Sequence, residues 1–253
     1  MQEKIYYQNS NGEKMCGVIS NNTDSTDKPI VIISHGFTSS KDTKSWGNLV
    51  ELLNGKGIAT FRIDLFAHGE SYGKLEDITV SKAVDGIIKA IELVKNRGYT
   101  KIGLLGSSFG GISSIMAASK FPEAIFLALR CPVCDYRQEL IQSLGIEKIK
   151  QWKEKGITEI EDAGKLHKLK YSLYEDIEFN KPYKVAKKIN CPVFIVHGDH
   201  DTCVPVTQSR KFAGLVKNGR LHEIKGADHW FPEGPQRTEM VEKVYEFITN
   251  KVK

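Results

Sequence analysis

Residues 102–120 constrain this chain more than any other stretch. An apolar run, Ile102-Gly-Leu-Leu105, leads into Gly106-Ser107-Ser108-Phe109-Gly110, and a helix-forming run at 112–120 follows. A short continuous apolar run bounded by glycine reads as a strand buried on both faces. A strand that passes directly into a helix must turn sharply, and G-x-S-x-G is the pattern such a turn demands. Gly106 and Gly110 stand where a side chain would collide with the neighbouring strand or helix. Ser108 is forced into a strained backbone position with its hydroxyl above the sheet edge, and the next helix aims its positive end at that hydroxyl. Outside a strand–helix frame the same five residues would be a glycine-rich turn with two ordinary serines.

Strand and helix signals alternate along most of the remaining chain. Residues 1–20 read as two short strands joined by a turn at 9–13, and 21–28 as a polar turn. Apolar runs at 29–34, 58–63, 124–129 and 192–197 read as further strands, with a short last one at 221–224. Helices are predicted at 45–54, 79–96, 206–216 and 237–251. In the second, Val80, Val84, Ile87, Ile88, Ile91 and Val94 fall on one face. This alternation implies a mostly parallel sheet with helices on both faces. A length of 253 residues suits one α/β domain spanning 1–253.

Residues 135–184 break the rhythm between two core strands. A helical run at 137–155 carries Leu140, Ile141, Leu144, Ile149 and Trp152, and Tyr171, Leu173, Tyr174, Ile177 and Phe179 follow. Its ten basic and ten acidic residues cancel, so the segment is no electrostatic arm. Its place in the order predicts a cap inserted over the strand ends, with Trp152, Tyr171 and Tyr174 divided between a pocket lining and the cap's own core. A surface excursion that never meets substrate is the other reading.

The net charge of +5 is mild and no basic block stands out, which argues against a nucleic-acid partner. No apolar run approaches the ~20 residues that span a bilayer, and residues 1–7 lack the apolar centre of a signal peptide. A cytoplasmic protein without a membrane partner is therefore expected. Five scattered cysteines argue against a disulfide framework. Cys131-Pro-Val-Cys134 has redox or half-zinc spacing, but it lacks a second pair and follows a strand rather than opening a helix. Both are read as structural thiols near the site rim.

A serine hydroxyl is a weak nucleophile at neutral pH and needs a base, which in turn needs an orienting acid. After the strand at 192–197 comes His197-Gly-Asp-His-Asp201, and after the last strand Gly226-Ala-Asp-His229. Asp201 is the expected acid, because the loop has turned by then and Val204-Pro205 can open the next helix. Asp199 is the runner-up, with a turn hydrogen bond as its more natural task. His229 is the expected base. The oxyanion donors fall to the backbone N–H of Phe109, just after the nucleophile, and of Phe37 in His35-Gly36-Phe37. His35 is expected to brace that turn.

With these pieces in hand the sequence resembles the serine hydrolases of the α/β-hydrolase superfamily. His35-Gly-Phe37, Asp64 through His68-Gly-Glu-Ser71, the pentapeptide around Ser108, His197 to Asp201 and Asp228-His229 carry the resemblance over nearly the whole chain. Residues 71–80 and the insertion further resemble small cinnamoyl/feruloyl esterases and related carboxylesterases. Ala67 stands where many relatives have glycine, and Ser107 where histidine or tyrosine is common. The resemblance implies an α/β-hydrolase fold with a helical cap and hydrolysis of a small-molecule carboxylic ester through a Ser108–His229–Asp201 triad. No metal or organic cofactor is needed. A serine nucleophile argues against the dehalogenase and epoxide hydrolase branches. A peptidase, a thioesterase and a non-catalytic ligand-binding protein on the same fold are the alternatives, and a homodimer is left open.

Overall fold

The computed structural model describes residues 1–22, 28–162 and 164–252, so most of the polar turn expected at 21–28 lies outside the described residues. The chain opens with a hairpin of β1 (Gln2–Gln8) and β2 (Lys14–Ser20). Then follow β3 (Ile30–Ser34), α1 (Leu49–Gly55), β4 (Ala59–Asp64), α2 (Val80–Asn96), β5 (Ile102–Ser107), α3 (Phe109–Ala118) and β6 (Leu127–Arg130). The insertion holds α4 (Tyr136–Leu144), α5 (Ile146–Lys155), β7 (Ile157–Asp162), β8 (Lys165–Lys170), α6 (Ser172–Asp176) and α7 (Pro182–Val185). The chain closes with β9 (Val193–Gly198), α8 (Val206–Leu215), β10 (Gly219–Ile224) and α9 (Pro235–Lys251).

Eight strands form one sheet in the order β1-β2-β4-β3-β5-β6-β9-β10. The hairpin pairs antiparallel, and β2 joins β4 antiparallel; every pairing from β4 to β10 is parallel. This is the α/β-hydrolase fold. Residues 30–34, 102–107 and 127–130 are buried throughout because helices cover both faces of these strands. One face packs Ile32, Leu104 and Leu129 against Ile87 and Ile91 of α2, Ile112 and Ile115 of α3, and Phe212 of α8. The other packs Val31, Leu105, Ala128 and Val196 against Leu49 and Leu53 of α1 and Val244 and Ile248 of α9.

Local chemistry sets most element ends. Thr79 caps α2, its hydroxyl accepting the Lys82 N–H at 3.2 Å. The helix expected at 45–54 begins only at Leu49, since Gly47 has φ +54 and the preceding residues form turns. The helical run expected at 137–155 is two helices, broken at Gly145 with φ +78. A sequence reading also misses the β7–β8 hairpin, in which Leu169 is the one fully buried position and the half-buried ones include polar Thr158, Asp162 and His167, so the strands carry little apolar periodicity. Trp152 is fully buried, donates to Leu169 O at 2.9 Å, and meets Tyr171 and Tyr174 edge-on. These three aromatics form the core of the insertion. The insertion is moored at its start, where the Cys134 and Asp135 N–H groups both donate to Gln208 Oε1 of α8 at 2.8 Å.

A buried charge cluster ties the β3 and β4 ends together. Asp64 is completely buried, and its carboxylate accepts the Lys41 N–H (2.7 Å), the Lys41 ammonium (3.0 Å) and the Glu70 N–H (2.9 Å). The Lys41 ammonium also reaches Glu70 at 2.9 Å. Gly69 has φ +54, and a Cβ there would lie 2.3 Å from the Asp64 carboxyl carbon, so the loop closes on the carboxylate only with glycine at that position. Removing one member of a buried pair leaves the other without compensation. Lys41→Met is therefore expected to lower unfolding stability by about 3 kcal/mol, read as a fall in the urea midpoint at unchanged slope.

Candidate active site

The loops at the carboxyl ends of β3, β5, β9 and β10 converge. Ser108 sits at the β5–α3 turn with φ 52 and ψ −114, a left-handed conformation costly for a residue with a Cβ. The turn is held from three sides. The Ser108 N–H donates to Arg130 O at 3.0 Å, and Ser108 O accepts from Gly111 (2.9 Å), Ile112 (3.2 Å) and Val133 (3.3 Å). A Cβ on Gly106 would lie 2.4 Å from Gly110 O, and one on Gly110 2.3 Å from His35 O, so α3 comes down directly onto the backbone of β3.

Ser108, His229 and Asp201 lie in one hydrogen-bonded line. His229 Nε2 is 3.0 Å from Ser108 Oγ, and His229 Nδ1 is 2.6 Å from Asp201 Oδ2. With Asp201 an acceptor, Nδ1 carries the proton and Nε2 accepts from the serine hydroxyl. The other Asp201 oxygen accepts the Cys203 and Val204 N–H groups at 2.9 and 2.8 Å. Burial alone would raise this carboxyl, but hydrogen bonds from His197 and His229 outweigh it and hold Asp201 well below the usual carboxylate range.

His197 is the neighbour that sequence reasoning underrated. It is fully buried, its Nε2 lies 2.9 Å from Val204 O and 3.1 Å from Asp201, and its Nδ1 lies 2.7 Å from the Ser209 hydroxyl. The four-residue spacing from His197 to Asp201 was its only signal. Asp199 is elsewhere engaged, accepting the Gly226 N–H at 2.6 Å and so joining the β9 and β10 loops. The His229 loop is closed by Asp228, which accepts from Trp230 and Phe231, both at 2.9 Å.

Two neutral histidines brace the loop that carries Phe37. His35 Nδ1 donates to Gly36 O at 2.7 Å, while its Nε2 accepts the Leu65 N–H at 3.1 Å. His68 Nδ1 donates to Phe66 O at 2.8 Å, while its Nε2 accepts the Thr38 N–H at 3.1 Å. Burial, with repulsion from His68, pushes His35 down to about 3, and burial also lowers His68. Phe37 packs edge-on against Phe109, His68 and His167 of the insertion. The Thr38 hydroxyl bonds Asp162 at the end of β7, so the insertion touches the same loop.

A cavity of about 410 Å³ opens beside Ser108. Phe37, Phe109 and His229 border it, and the insertion adds Tyr136, Glu139, Leu140, Leu144, Ile160 and Asp162. Trp152, Tyr171 and Tyr174 do not border it. Burial and the nearby Asp162 push the Glu139 carboxyl up to about 7, and its Oε2 is buried without a hydrogen-bond partner among the described residues. Arg130 borders the cavity as well.

Cys131 and Cys134 are buried, unpaired thiols. Burial raises both, so neither is a thiolate nucleophile at neutral pH. Cys131 lies beside Asp201, and the donor atoms of Cys131, Asp201 and His229 fall within 4.8 Å of one another. In this arrangement Asp201 and His229 are bonded to each other. No helix among the described residues is long and apolar enough to cross a membrane.

Residues 68–253 match the prolyl oligopeptidase family. The chain belongs to that family. Across almost its whole length it is also similar to a solved structure, Est1E from Butyrivibrio proteoclasticus with ferulic acid bound: 28% identity, TM-score 0.86, covering 98% of this chain and 99% of that one. Among curated proteins, the human serine hydrolase BPHL is 24% identical over 213 residues, 79% of this chain and 72% of the relative. The bovine mitochondrial palmitoyl-protein thioesterase ABHD10 is 26% identical over 212 residues, 81% of this chain and 68% of the relative. This family member is thus a serine hydrolase of the α/β-hydrolase fold.

The neutral histidine pair makes stability depend on pH. The folded value of His35 lies below its unfolded one, near 6.5. Its contribution is complete above that pH and is lost as the pH falls towards about 3. Unfolding free energy is expected to decline across this window by up to about 1.4 kcal/mol per pH unit for this group. Urea titrations from pH 7 to 4 should show a flatter decline in His35→Gln.

Proposed function

We propose that this serine hydrolase cleaves carboxylic esters of small molecules through an acyl-enzyme on Ser108. The observation that carries the reading is the unbroken line from Ser108 Oγ to His229 (3.0 Å) and from His229 to Asp201 (2.6 Å) beside an open cavity. His229 Nε2 accepts the Ser108 proton as the oxygen attacks the ester carbonyl. Asp201 stays ionised, holds the imidazole in the tautomer that accepts this proton, and stabilises the imidazolium that forms. The Phe37 and Phe109 N–H groups donate to the carbonyl oxygen as it becomes an oxyanion. Protonated His229 then gives its proton to the departing alkoxide. Water, deprotonated by the same histidine, attacks the acyl-enzyme and releases the acid.

In this reading the insertion, residues 135–184, is a cap that shapes the pocket on one side of Ser108, through Tyr136, Glu139 and Leu140. The likeness to Est1E with bound ferulic acid over nearly the full length of both chains favours an ester, with an aryl acid such as ferulate among the acyl groups to test. Cleavage of a thioester would follow the same steps, and the likeness to a palmitoyl-protein thioesterase makes it the second substrate class to try.

The test is a panel of p-nitrophenyl esters of rising chain length, methyl ferulate, an acyl-thioester and an aminoacyl anilide. Ester turnover is expected, with kcat lowered on the order of 10⁵–10⁶-fold in Ser108→Ala and about 10⁴-fold in Asp201→Asn. Undiminished turnover in Ser108→Ala, or turnover of the anilide alone, would overturn the proposal.

A further inference from the structure

One buried charge beside Ser108 has no task in the proposed ester chemistry. Arg130 ends β6, is only 5% exposed, and borders the cavity. It is the register partner of Ser107, so its side chain shares a sheet face with that serine, next to the nucleophile. Its Nε donates to Ser107 Oγ at 2.9 Å, its Nη1 donates to Ser45 O at 2.8 Å, and its guanidinium lies 4.9 Å from the centroid of the Trp46 ring.

None of these partners is an anion, and Arg130 takes part in no ion pair among the described residues. The two hydrogen bonds occupy two of five N–H donors. Of the charges acting on it, Arg237 repels, and Asp201, the one carboxylate, is already held by two histidines and two backbone N–H groups. Burial works against the guanidinium's charge, and no carboxylate among the described residues forms an ion pair with it. Ser39, Thr43 and Ser45 also border the cavity. The carboxylates that line the cavity, Glu139, Glu161 and Asp162, all belong to the insertion, whereas a planar fork with free donors beside the Ser45 segment suits one ligand chemistry above others: a carboxylate taken in a bidentate grip.

We infer that Arg130 forms an anion subsite and that the substrate carries a carboxylate on the Arg130 side of its scissile bond. The inference rests on the proposed ester hydrolysis only for the word substrate; the subsite itself can be tested without turnover. In Ser108→Ala, calorimetry should find that glutarate binds at least tenfold more tightly than its neutral diamide. Adding Arg130→Met should abolish that preference, and adding Arg130→Lys, which keeps the charge but loses the fork, should leave an intermediate one. Glutarate binding no tighter than the diamide would overturn the inference, and that comparison needs no Arg130 variant to fold. A preference that survives in the folded Arg130→Met protein would overturn it as well, and would leave Arg130 as a tie between Ser107 and the loop at Ser45.

Turnover of two ester pairs then places the carboxylate. Monomethyl glutarate against methyl hexanoate reports the acyl side, and O-butanoylglycolate against propyl butanoate reports the alcohol side. The wild-type protein should favour the anionic member of one pair at least tenfold in kcat/KM. Neutral esters cleaved with no anionic preference in either pair would refute the subsite while leaving ester hydrolysis intact. Failure of all four esters, together with Arg130-dependent glutarate binding, would refute ester hydrolysis and support the subsite.

Discussion

The close approach of the β5–α3 elbow to the backbone of β3 is the contact on which the remaining geometry depends. Without a side chain at Gly110, α3 settles against the carbonyls of Ser34 and His35. That descent brings Phe109 beside Phe37 and sets Ser108 at the mouth of the sheet. The parallel order then puts the ends of β9 and β10 on the same edge, so that an acid and a histidine far apart in sequence reach one serine. The hydrophobic effect builds the sheet and its two cores. A few backbone contacts too short for any Cβ decide where the chemistry falls.

Strain is concentrated along that edge. Among the described residues, five that are not glycine have positive φ: Thr38, Ala67, Ser108, Cys131 and Phe231. Each belongs to a loop at the carboxyl end of a parallel strand. Such conformations persist only where surrounding bonds over-determine them, and here the surrounding bonds can be named. His68 holds Thr38, the Tyr72 carbonyl holds Ala67, the Arg130 carbonyl holds Ser108, the Val196 carbonyl holds Cys131, and Asp228 holds Phe231. The buried polar side chains His35, Asp64 and His197 serve the same purpose, and each is bonded at both ends of its hydrogen-bonding capacity.

The fold was legible because buried parallel strands leave uninterrupted apolar runs and amphipathic helices leave a 3.6-residue period. Ser108, Asp201 and His229 were legible because each follows such a run, and chain order alone brings them to one edge. What stayed hidden has a physical reason in each case. The β7–β8 hairpin places polar side chains such as Thr158, Asp162 and His167 at its half-buried positions, so its burial leaves no apolar alternation in the sequence. Trp152, Tyr171 and Tyr174 pack on one another, and nothing in their spacing tells a core from a pocket lining. Arg130 reads as the polar end of an apolar strand, and only its register opposite Ser107 places it beside Ser108. The φ of +62 at Ala67 marks a position suited to glycine, which composition alone could not show.

The mooring of the insertion has an evolutionary consequence. One glutamine on α8, Gln208, gathers both backbone N–H groups where the segment departs, just past the end of β6. Beyond that clamp the segment adds no strand to the main sheet, since β7 and β8 pair only with each other, so a change within it leaves the order of the strands that lead to Ser108, Asp201 and His229 intact. The sheet thereby becomes a fixed chassis and the insertion a replaceable tool, and lineages can change what enters the cavity without redesigning what lies at its floor. The Thr38–Asp162 bond limits that freedom, as do the bonds from the Ser81 N–H to Asp176 and from Lys170 to Asp77, because a replacement segment inherits the Phe37 loop and the start of α2 as its neighbours.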